Sequence, residues 1–293
     1  MIRDADHTRG IDHLVLAVRD LDASGRLYEA LGFRVGRRNR HPWGTENRIV
    51  QFPGSFLELI TVGEGAEIPE HGEGRFSFGA FVRDYLARRE GFAMLVLDGR
   101  NGEADAALFR ERGIGGFEPF RFERTGVAPD GSEAQVAFTL AFARDERAPG
   151  AGFFTCTQHF PENFWNPEAQ RHPNGATGIG AVALTTPDPA GHAEFMGAFT
   201  GVAPRVAGDG AMTFELSRGH VDVMTSDNAA TVYGSVAVDV RSAELAAFAV
   251  LVPEVSLTER SLLAAGVPFE RIGSRAVVPA SAAHGVSIAF ASG

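Results

Sequence analysis

Two polar residues stand among apolar neighbours near the N-terminus of this 293-residue chain. His13 lies in the segment 10–21 and Glu58 lies in the segment 54–60, and both segments have the apolar alternation of half-buried strands. A carboxylate inside a core must be paired or bound to a metal ion, because an isolated buried charge is costly. Imidazole and carboxylate groups are ligands of divalent iron and manganese. The pattern predicts two metal ligands on two strands; the alternative for His13 is a hydrogen-bonded core histidine.

The residues between these two segments predict a defined order of elements. Residues 22–31 are amphipathic and precede Gly32, which is typical of a helix that ends at a glycine C-cap. Residues 33–38 and 46–52 then have strand character. The predicted order is one strand, one helix and three strands.

With His13 on the first strand and Glu58 on the fourth, this βαβββ unit resembles a module of the vicinal oxygen chelate superfamily, which includes glyoxalase I, extradiol dioxygenases and bleomycin-resistance proteins. The motifs His-Pro-Trp-Gly-Thr at 41–45 and Gln-His-Phe-Pro-Glu at 158–162 make the chain most similar to the glyoxalase-like branch of that superfamily. The resemblance implies a metal ion that chelates two neighbouring substrate oxygens and stabilises the enolate or oxyanion that develops.

The βαβββ pattern recurs three more times along the chain. The later modules begin with predicted strands at 92–97, 178–184 and 235–240. In every module the helix ends at a glycine that a strand follows. These glycines are Gly32, Gly113, Gly201 and Gly266.

The resemblance implies that such modules pair, because one module alone leaves a curved sheet face uncovered. We therefore expect an α+β fold in which four βαβββ modules form two cup-shaped, mixed eight-stranded sheets; a cup here means a curved sheet with a concave face. The first cup, with the candidate active site, would span residues 8–160, and the second would span 178–293. Residues 161–177 would connect them. This connector contains Trp165, which is costly to expose, so we expect it to pack against a cup.

A third metal ligand is needed for an open site that also binds a bidentate substrate, and two histidines with one carboxylate are the common solution for Fe(II) and Mn(II). The predicted strand 92–97 is entirely apolar and offers no ligand. The last predicted strand of module two places Thr157 and His159 on one face. If that face is concave, His159 completes the site with His13 and Glu58.

The same strand has a second interpretation. Aligning Gly152 with Gly54 places Cys156, in place of His159, opposite Glu58, and a slip of one residue exchanges the two faces of a strand. The single cysteine is otherwise typical of an inert core residue, since no Cys-His-Asn motif accompanies it.

Five residues are candidates for acid–base chemistry or substrate contacts. His41 lies in the predicted connection between strands two and three, near the mouth of the first cup, and is the candidate catalytic residue; the alternative is a turn stabilised by proline and glycine. Trp43 and Asn47 suit the aromatic wall and the polar contact of a pocket. Thr157 and Trp165 are the further candidates for substrate binding.

The predicted second cup does not have the pattern of a metal site. Residues 181–184 and 235–240 carry no histidine, and Asp222, flanked by His220, is the polar residue inside the strand 220–224. We expect this cup to have a structural or dimerising role, which leaves a homodimer open.

Composition excludes several function classes. All 27 basic residues are arginine, so Schiff-base and pyridoxal-phosphate chemistry lacks its amine, and one cysteine allows no intramolecular disulfide. The net charge of −10 argues against a nucleic-acid surface. Apolar runs fall short of the roughly 18 to 20 residues that a membrane span needs, so we expect a soluble, cytoplasmic protein. The local arginine cluster at 34–40 is interpreted as a solvated sheet edge, with an anion-attracting rim as the alternative.

Three classes of function remain. The first is a metal-dependent lyase, isomerase or dioxygenase that acts on a small oxygen-rich metabolite, with Fe, Mn, Zn or Ni as the divalent metal. The second is a metal-free small-molecule-binding protein of the bleomycin-resistance type. The third is a degenerate scaffold module.

Overall fold

The computed structural model of the protein describes residues 8–127, 131–236, 239 and 241–293. Within these ranges, sixteen strands form two mixed eight-stranded sheets, and seven α-helices accompany them. The predicted α+β fold with two cup-shaped sheets is confirmed. None of the helices in the described part of the chain is long and apolar enough to cross a membrane.

The elements of the first sheet and the helices between them lie between residues 11 and 158. They are β1 Ile11–Ala17, α1 Leu21–Ala30, β2 Asn39–Arg40, β3 Thr45–Phe52, β4 Ser55–Val62, α2 Phe78–Arg88, β5 Gly91–Asp98, α3 Gly102–Glu111, β6 Phe120–Val127, β7 Glu133–Ala143 and β8 Gly152–Gln158.

The short helix α4 Pro161–Phe164 follows, and the second sheet and its helices lie between residues 178 and 292. They are β9 Gly178–Thr185, α5 Ala193–Thr200, β10 Arg205–Val206, β11 Met212–Glu215, β12 His220–Met224, α6 Ser226–Tyr233, β13 Glu244–Val252, α7 Val255–Ala264, β14 Glu270–Ile272, β15 Arg275–Val278 and β16 Ser287–Ser292.

Both sheets have the same strand order, which follows from pairing two βαβββ modules side by side. The first sheet runs β2-β3-β4-β1-β5-β8-β7-β6, and the second repeats this order with β9 to β16. In each module the first and fourth strands pair in parallel, and the first strands of two modules pair antiparallel at the centre of the sheet. The register places His13 beside Phe56 and Val15 beside Glu58.

The predicted glycine after each module helix adopts the left-handed conformation that ends a helix without a Cβ clash. The φ angles are 86° at Gly32, 69° at Gly113, 79° at Gly201 and 69° at Gly266. The end of each module helix could be predicted from the sequence because the left-handed conformation strongly favours glycine over other residues.

Two predicted strands differ in the structure. In place of a strand at 33–38, β2 has only two residues, and Gly36 N–H donates to the Ile49 carbonyl as an isolated contact with β3. The first strand of module four was predicted at 235–240, where residues 237, 238 and 240 lie outside the described ranges. The strand that pairs with β9 is β13. Its alanine-rich sequence has weak strand propensity, and its position in the sheet decides its conformation.

The convex faces of the two sheets share one apolar core. Leu14 and Leu16 of β1 belong to the same buried cluster as Val182 and Leu184 of β9. The helices α1, α3, α5 and α7 also bury side chains in this cluster. The second cup therefore stabilises the first by packing against its convex face.

The concave face of the first cup has a separate apolar cluster. Helix α2, which the sequence pattern did not predict, begins at the N-cap Ser77 and packs Phe78, Val82 and Tyr85 into this cluster. It thereby covers part of the concave face with apolar side chains.

The connector 161–177 packs against the first cup by hydrogen bonds as well as by its aromatic residues. Gln51 Nε2 donates to the Phe164 carbonyl at 2.9 Å, and the His172 ring contacts the Gln51 carbonyl at 2.7 Å. Asn174 Nδ2 donates to the Leu31 carbonyl at 2.9 Å.

A buried ion pair joins helix α3 to the N-terminal segment and to β8. Arg9 makes two hydrogen bonds to the Asp105 carboxylate, at 2.6 and 3.1 Å, and Thr155 Oγ1 donates to the same carboxylate at 2.9 Å. Side-chain exposure is 9% for Arg9 and 6% for Asp105. Loss of one partner would leave a buried charge without compensation.

Asp105→Ala is therefore expected to lower the free energy of unfolding by about 3 to 5 kcal/mol, because Arg9 loses its counter-charge. Urea denaturation followed by circular dichroism measures this. Glu103→Ala, an exposed change on the same helix, is the control and should cost less than about 1 kcal/mol. Equal effects of the two changes would contradict the assignment.

Candidate functional site

A cavity opens into the concave face of the first cup, and its empty space amounts to about 470 Å³ including the mouth. Its wall is mainly aromatic and includes Trp43, Phe56, Phe78, Phe122, Phe138 and Phe154. Its polar or ionisable residues are His13, His41, Asn47, Glu58, Arg124 and Cys156. An apolar pocket with a few convergent polar groups is the usual form of a small-molecule site.

Glu58 is the central anionic group of this wall. Strand β4 alternates so that Phe56 and Glu58 both face the cavity. Burial raises the pKa of Glu58, while the nearby charge of His13 and a hydrogen bond from Asn47 oppose that rise. A carboxylate in this position gains from a nearby cation, because desolvation is the largest effect on it.

His13 faces Glu58 from the neighbouring strand β1, with 3.9 Å between its Nε2 and Glu58 Oε2. Its Nδ1 lies 2.5 Å from Asp12 Oδ1, and the ring stacks on Phe56 at 4.2 Å between centroids. A carboxylate on one ring nitrogen holds the proton there and leaves the other nitrogen as a lone-pair donor. His13 therefore presents Nε2 toward Glu58.

His41 approaches Glu58 from the other side, with 3.7 Å between its Nε2 and Glu58 Oε1. The turn between β2 and β3 folds back so that His41 Nδ1 contacts Thr45 Oγ1 at 2.8 Å and the ring stacks on Trp43 at 4.5 Å. Burial lowers the pKa of His41 to about 3. A neutral imidazole suits a metal ligand better than a general acid at neutral pH.

Asn47 on β3 joins these groups. Its Nδ2 donates to Glu58 Oε1 at 2.5 Å and lies 3.3 Å from His41 Nε2. Asn47 was predicted to make a polar contact in the pocket. In the structure it contacts the Glu58 carboxylate and the His41 ring, and so it orients both.

Arg124 reaches the cavity from β6 in module two, on the same strand face as Phe120 and Phe122. Burial lowers the pKa of this guanidinium, Glu58 raises it, and Arg37 lowers it further. Its Nε is buried without a hydrogen-bond partner. The wall therefore carries a fixed positive charge near the carboxylate.

Cys156 on β8 also lines the cavity, and its sulfur forms with Asp12 and His13 a group of donor atoms that lie within 4.8 Å of one another. Burial raises the pKa of this thiol well above its ordinary value, so the thiolate that metals require is disfavoured. Asp12 is already held by His13 and lies behind it, outside the cavity wall.

The structure does not bring His159 or Thr157 to the site. His159 is exposed, and its Nε2 contacts Thr139 Oγ1 at 2.8 Å and Arg121 Nη1 at 3.1 Å. The pairing of β5 with β8 sets Met94 beside Gly152, so Phe154 and Cys156 face the cavity. The face that carries Thr157 and His159 is the convex one, on which Thr155 donates to Asp105 of α3. Cys156, and not His159, shares the concave face with Glu58.

Trp43 lines the cavity, but Trp165 lies behind its wall. The Trp165 ring contacts Phe164 at 4.9 Å and Phe56 at 6.1 Å between centroids. Of these, Phe164 and Phe56 line the cavity. Trp165 therefore packs beneath the wall and does not form it.

Two residues of the candidate site, Arg124 and Asp12, were not predicted from the sequence, for different reasons. Arg124 interrupts the apolar alternation of Phe120 and Phe122, and a charged residue on such a face is a signal that was available. Asp12 precedes His13 directly, and residues adjacent in a strand normally face apart, so their contact could not be inferred. The irregular pairing of β1 with β5 at residues 11–13 accompanies this contact.

Two groups of donor residues in the first cup are candidates for a divalent metal ion: Asp12, His13 and Cys156, whose donor atoms lie within 4.8 Å of one another, and His13, His41 and Glu58. His13 Nε2 and His41 Nε2 flank the two oxygens of Glu58, and all three side chains are buried and line the cavity. Two imidazoles and one carboxylate with an open side match the common arrangement for Fe(II) and related ions. This set comes wholly from module one.

The second cup keeps a carboxylate at the equivalent register position. Asp222 pairs with Ala183 as Glu58 pairs with Val15, but Ala181 takes the place of His13. His220 Nε2 lies 3.3 Å from Asp222 Oδ2. The hydrogen bond that the His220 ring donates to the Asp222 carboxylate raises the pKa of His220, against the effect of burial.

The comparison with protein families gives one match. A family model described as a glyoxalase-like domain matches residues 11–199. No curated protein matches the chain significantly.

Solved structures share the fold at low sequence identity. A hypothetical protein from Staphylococcus aureus aligns with a TM-score of 0.66 and 11% identity, over 96% of this chain and 98% of that one. The Mn(II)-bound glyoxalase from Novosphingobium aromaticivorans aligns with a TM-score of 0.55 and 10% identity, over 97% and 82%. A mutant of 4-hydroxymandelate synthase from Streptomyces coelicolor aligns with a TM-score of 0.55 and 16% identity, over 90% and 77%.

The His220–Asp222 pair predicts a pH-dependent contribution to stability. Because the folded-state pKa of His220 is raised, the contribution is fully present below the ordinary pKa and is lost as pH rises through the folded-state value. His220→Gln should therefore cost more stability at about pH 5.5 than at about pH 8.5. Urea denaturation at both pH values measures this, and a cost that does not change with pH would contradict it.

Proposed function

The chain belongs to the glyoxalase-like domain family of the vicinal oxygen chelate superfamily, and from this membership and the site geometry we propose that it is a metal-dependent enzyme acting on a small oxygen-rich molecule. The reaction class is a lyase, isomerase or dioxygenase reaction of the kind that this superfamily performs. Proteins of the same fold include a Mn(II)-bound glyoxalase and a hydroxymandelate synthase.

The observation that carries the proposal is the convergence of three donor groups on one cavity. His13 Nε2 and His41 Nε2 lie 3.9 and 3.7 Å from the Glu58 carboxylate. We assign His41 to the ligand set in place of the acid–base role expected from the sequence, since its pKa of about 3 keeps the imidazole neutral. The metal would be Fe(II), Mn(II), Zn(II) or Ni(II).

A divalent ion held by these residues would supply Lewis acidity toward two neighbouring substrate oxygens. The chain's own residues prepare that chemistry. Asp12 fixes the tautomer of His13, and Asn47 orients Glu58 and His41. The aromatic wall excludes water, which strengthens every electrostatic interaction inside the cavity.

One observation favours a second candidate, a metal-free small-molecule-binding protein. Asn47 already supplies hydrogen bonds to Glu58 and to the His41 ring, so both groups are partly satisfied without an ion. The aromatic wall would then bind a flat apolar ligand by stacking. Metal analysis separates this candidate from the first.

Wild-type protein purified without a histidine tag and incubated with each of the four metals is expected to retain about one ion per chain after dialysis. His13→Ala, His41→Ala and Glu58→Ala should each abolish retention, because each removes one of three ligands. Inductively coupled plasma mass spectrometry measures the ion, and circular dichroism confirms the fold.

His159→Ala is the matched control, since this exposed histidine lies on the convex face and should retain the ion fully. Cys156→Ser distinguishes the two candidate ligand sets, namely His13, His41 and Glu58 on the one hand and Asp12, His13 and Cys156 on the other. Loss of the ion in Cys156→Ser together with retention in His41→Ala would move the metal to the Asp12, His13 and Cys156 group. A wild type that retains none of the four metals would favour the metal-free candidate.

Asp12→Asn tests the group behind His13. The change keeps the shape of the side chain but removes the charge that orients the imidazole, so metal affinity should fall by about 10- to 100-fold without loss of the site. Competition with a fluorescent chelator measures the affinity. An affinity equal to that of the wild type would show that Asp12 does not tune His13.

A further inference from the structure

Arg124 lines both the cavity and a second, more polar groove, and Arg37 lines the groove beside it. This groove is lined by Arg37, Asn39, Gln51 and Asn163 among others, and it shares Ile49, Arg124 and Phe164 with the cavity. Arg124 thus belongs to the walls of both spaces. A molecule that fills the aromatic cavity and extends into the groove would pass this guanidinium.

Neither arginine has an ion-pair partner in the part of the chain that the structure describes. Glu58 is the acidic group that lines the cavity with Arg124, but its ion-pair contacts are to His13 and His41. The effect of Arg37 on the pKa of Arg124, which is secondary to burial, shows that the two positive charges repel each other. Arg37 is exposed and keeps its hydration, whereas Arg124 is half-buried, so the cost of an unpartnered charge falls on Arg124.

The neighbouring arginines of the same segment behave differently. Arg38 makes hydrogen bonds to Glu46 at 2.7 Å and to Asp22 at 2.9 Å, and Arg40 lies 3.8 Å from Glu46. These residues form the solvated, charge-paired sheet edge that the sequence suggested. Arg37 differs from Arg38 and Arg40 because it lines the groove together with Arg124.

We propose that Arg124, assisted by Arg37, is the substrate-recognition residue for a carboxylate, and that the substrate is a small organic acid with a flat apolar body. A guanidinium matches a planar carboxylate with two parallel hydrogen bonds. The apolar body would lie against Trp43 and Phe122, whose rings meet edge to face at 4.7 Å. The inference rests on the proposed function in one respect, namely that the cavity is the substrate site.

A carboxylate is favoured over a phosphate by charge. A phosphate monoester brings about two negative charges, whereas Glu58 already places one carboxylate on the same wall. Arg124 and Arg37 together bring two positive charges against the one negative charge of Glu58, so a monocarboxylate neutralises the site and a phosphate dianion leaves excess negative charge. The test therefore includes a phosphate as one of its probes.

The experiment measures binding of phenylacetate, of its uncharged analogue phenylacetamide and of phenyl phosphate, by tryptophan fluorescence and by calorimetry. Wild-type protein should bind phenylacetate at least about tenfold more tightly than phenylacetamide. Arg124→Gln should remove this preference by weakening phenylacetate about 10- to 100-fold while leaving phenylacetamide unchanged. Arg124→Lys should keep part of the preference, because the charge remains without the fork geometry.

Arg40→Gln is the matched control, since it removes a charge from the same segment outside the groove, and it should change no affinity. Equal weakening of phenylacetate and phenylacetamide in Arg124→Gln would overturn the proposal by indicating a structural role. A wild type without preference for phenylacetate, or one that binds phenyl phosphate more tightly, would also overturn it.

The metal is varied separately, so that failure of the proposed function can be recognised. All affinities are measured in protein stripped with a chelator and in protein incubated with Mn(II). A preference for phenylacetate that persists in stripped protein and depends on Arg124 supports the inference even if no metal binds. If the preference for phenylacetate disappears when the metal is removed and does not depend on Arg124, the metal binds the phenylacetate carboxylate. That result would overturn the inference.

Discussion

The desolvation of Glu58 is the constraint on which the first cup depends. A carboxylate surrounded by aromatic side chains loses its hydration, and burial accordingly raises its pKa. The groups around it compensate in part: Asn47 donates a hydrogen bond, and two imidazoles approach from opposite sides. Such an arrangement has an electrostatic reason to hold a cation, which an apolar core would not have. The stability cost of the carboxylate is thus tied to the chemistry of the cavity.

The two modules of the first cup divide the work. Module one supplies His13, His41, Asn47 and Glu58, while module two supplies part of the apolar wall and one charged residue, Arg124. The central pairing of β1 with β5 holds the two halves together. Duplication of a βαβββ module therefore permits asymmetry, because only one copy must keep the donor groups.

The second cup has the same fold as the first but carries Ala181 at the position equivalent to His13. Asp222 remains at the position equivalent to Glu58, but alanines and Tyr233 fill its concave cluster. Its convex face shares a continuous core with that of the first cup. A rigid support of this kind holds in place the strands that carry His13 and Glu58, which the proposed function requires because metal and substrate sites tolerate only small displacements of their side chains.

The sequence by itself determined the modules, their glycine caps and the placement of His13 and Glu58 on the first and fourth strands of module one. These follow from local rules, namely strand alternation, helical periodicity and the need for glycine at positive φ. The tertiary structure alone decided three further points. It turned Cys156 and not His159 into the cup, because register depends on pairing between β5 and β8. It folded the turn that brings His41 to Glu58. It also brought Arg124 to the same cavity from another module; the sequence marks Arg124 as a charged residue on an apolar strand face, but only the packing of the sheet places it near Glu58.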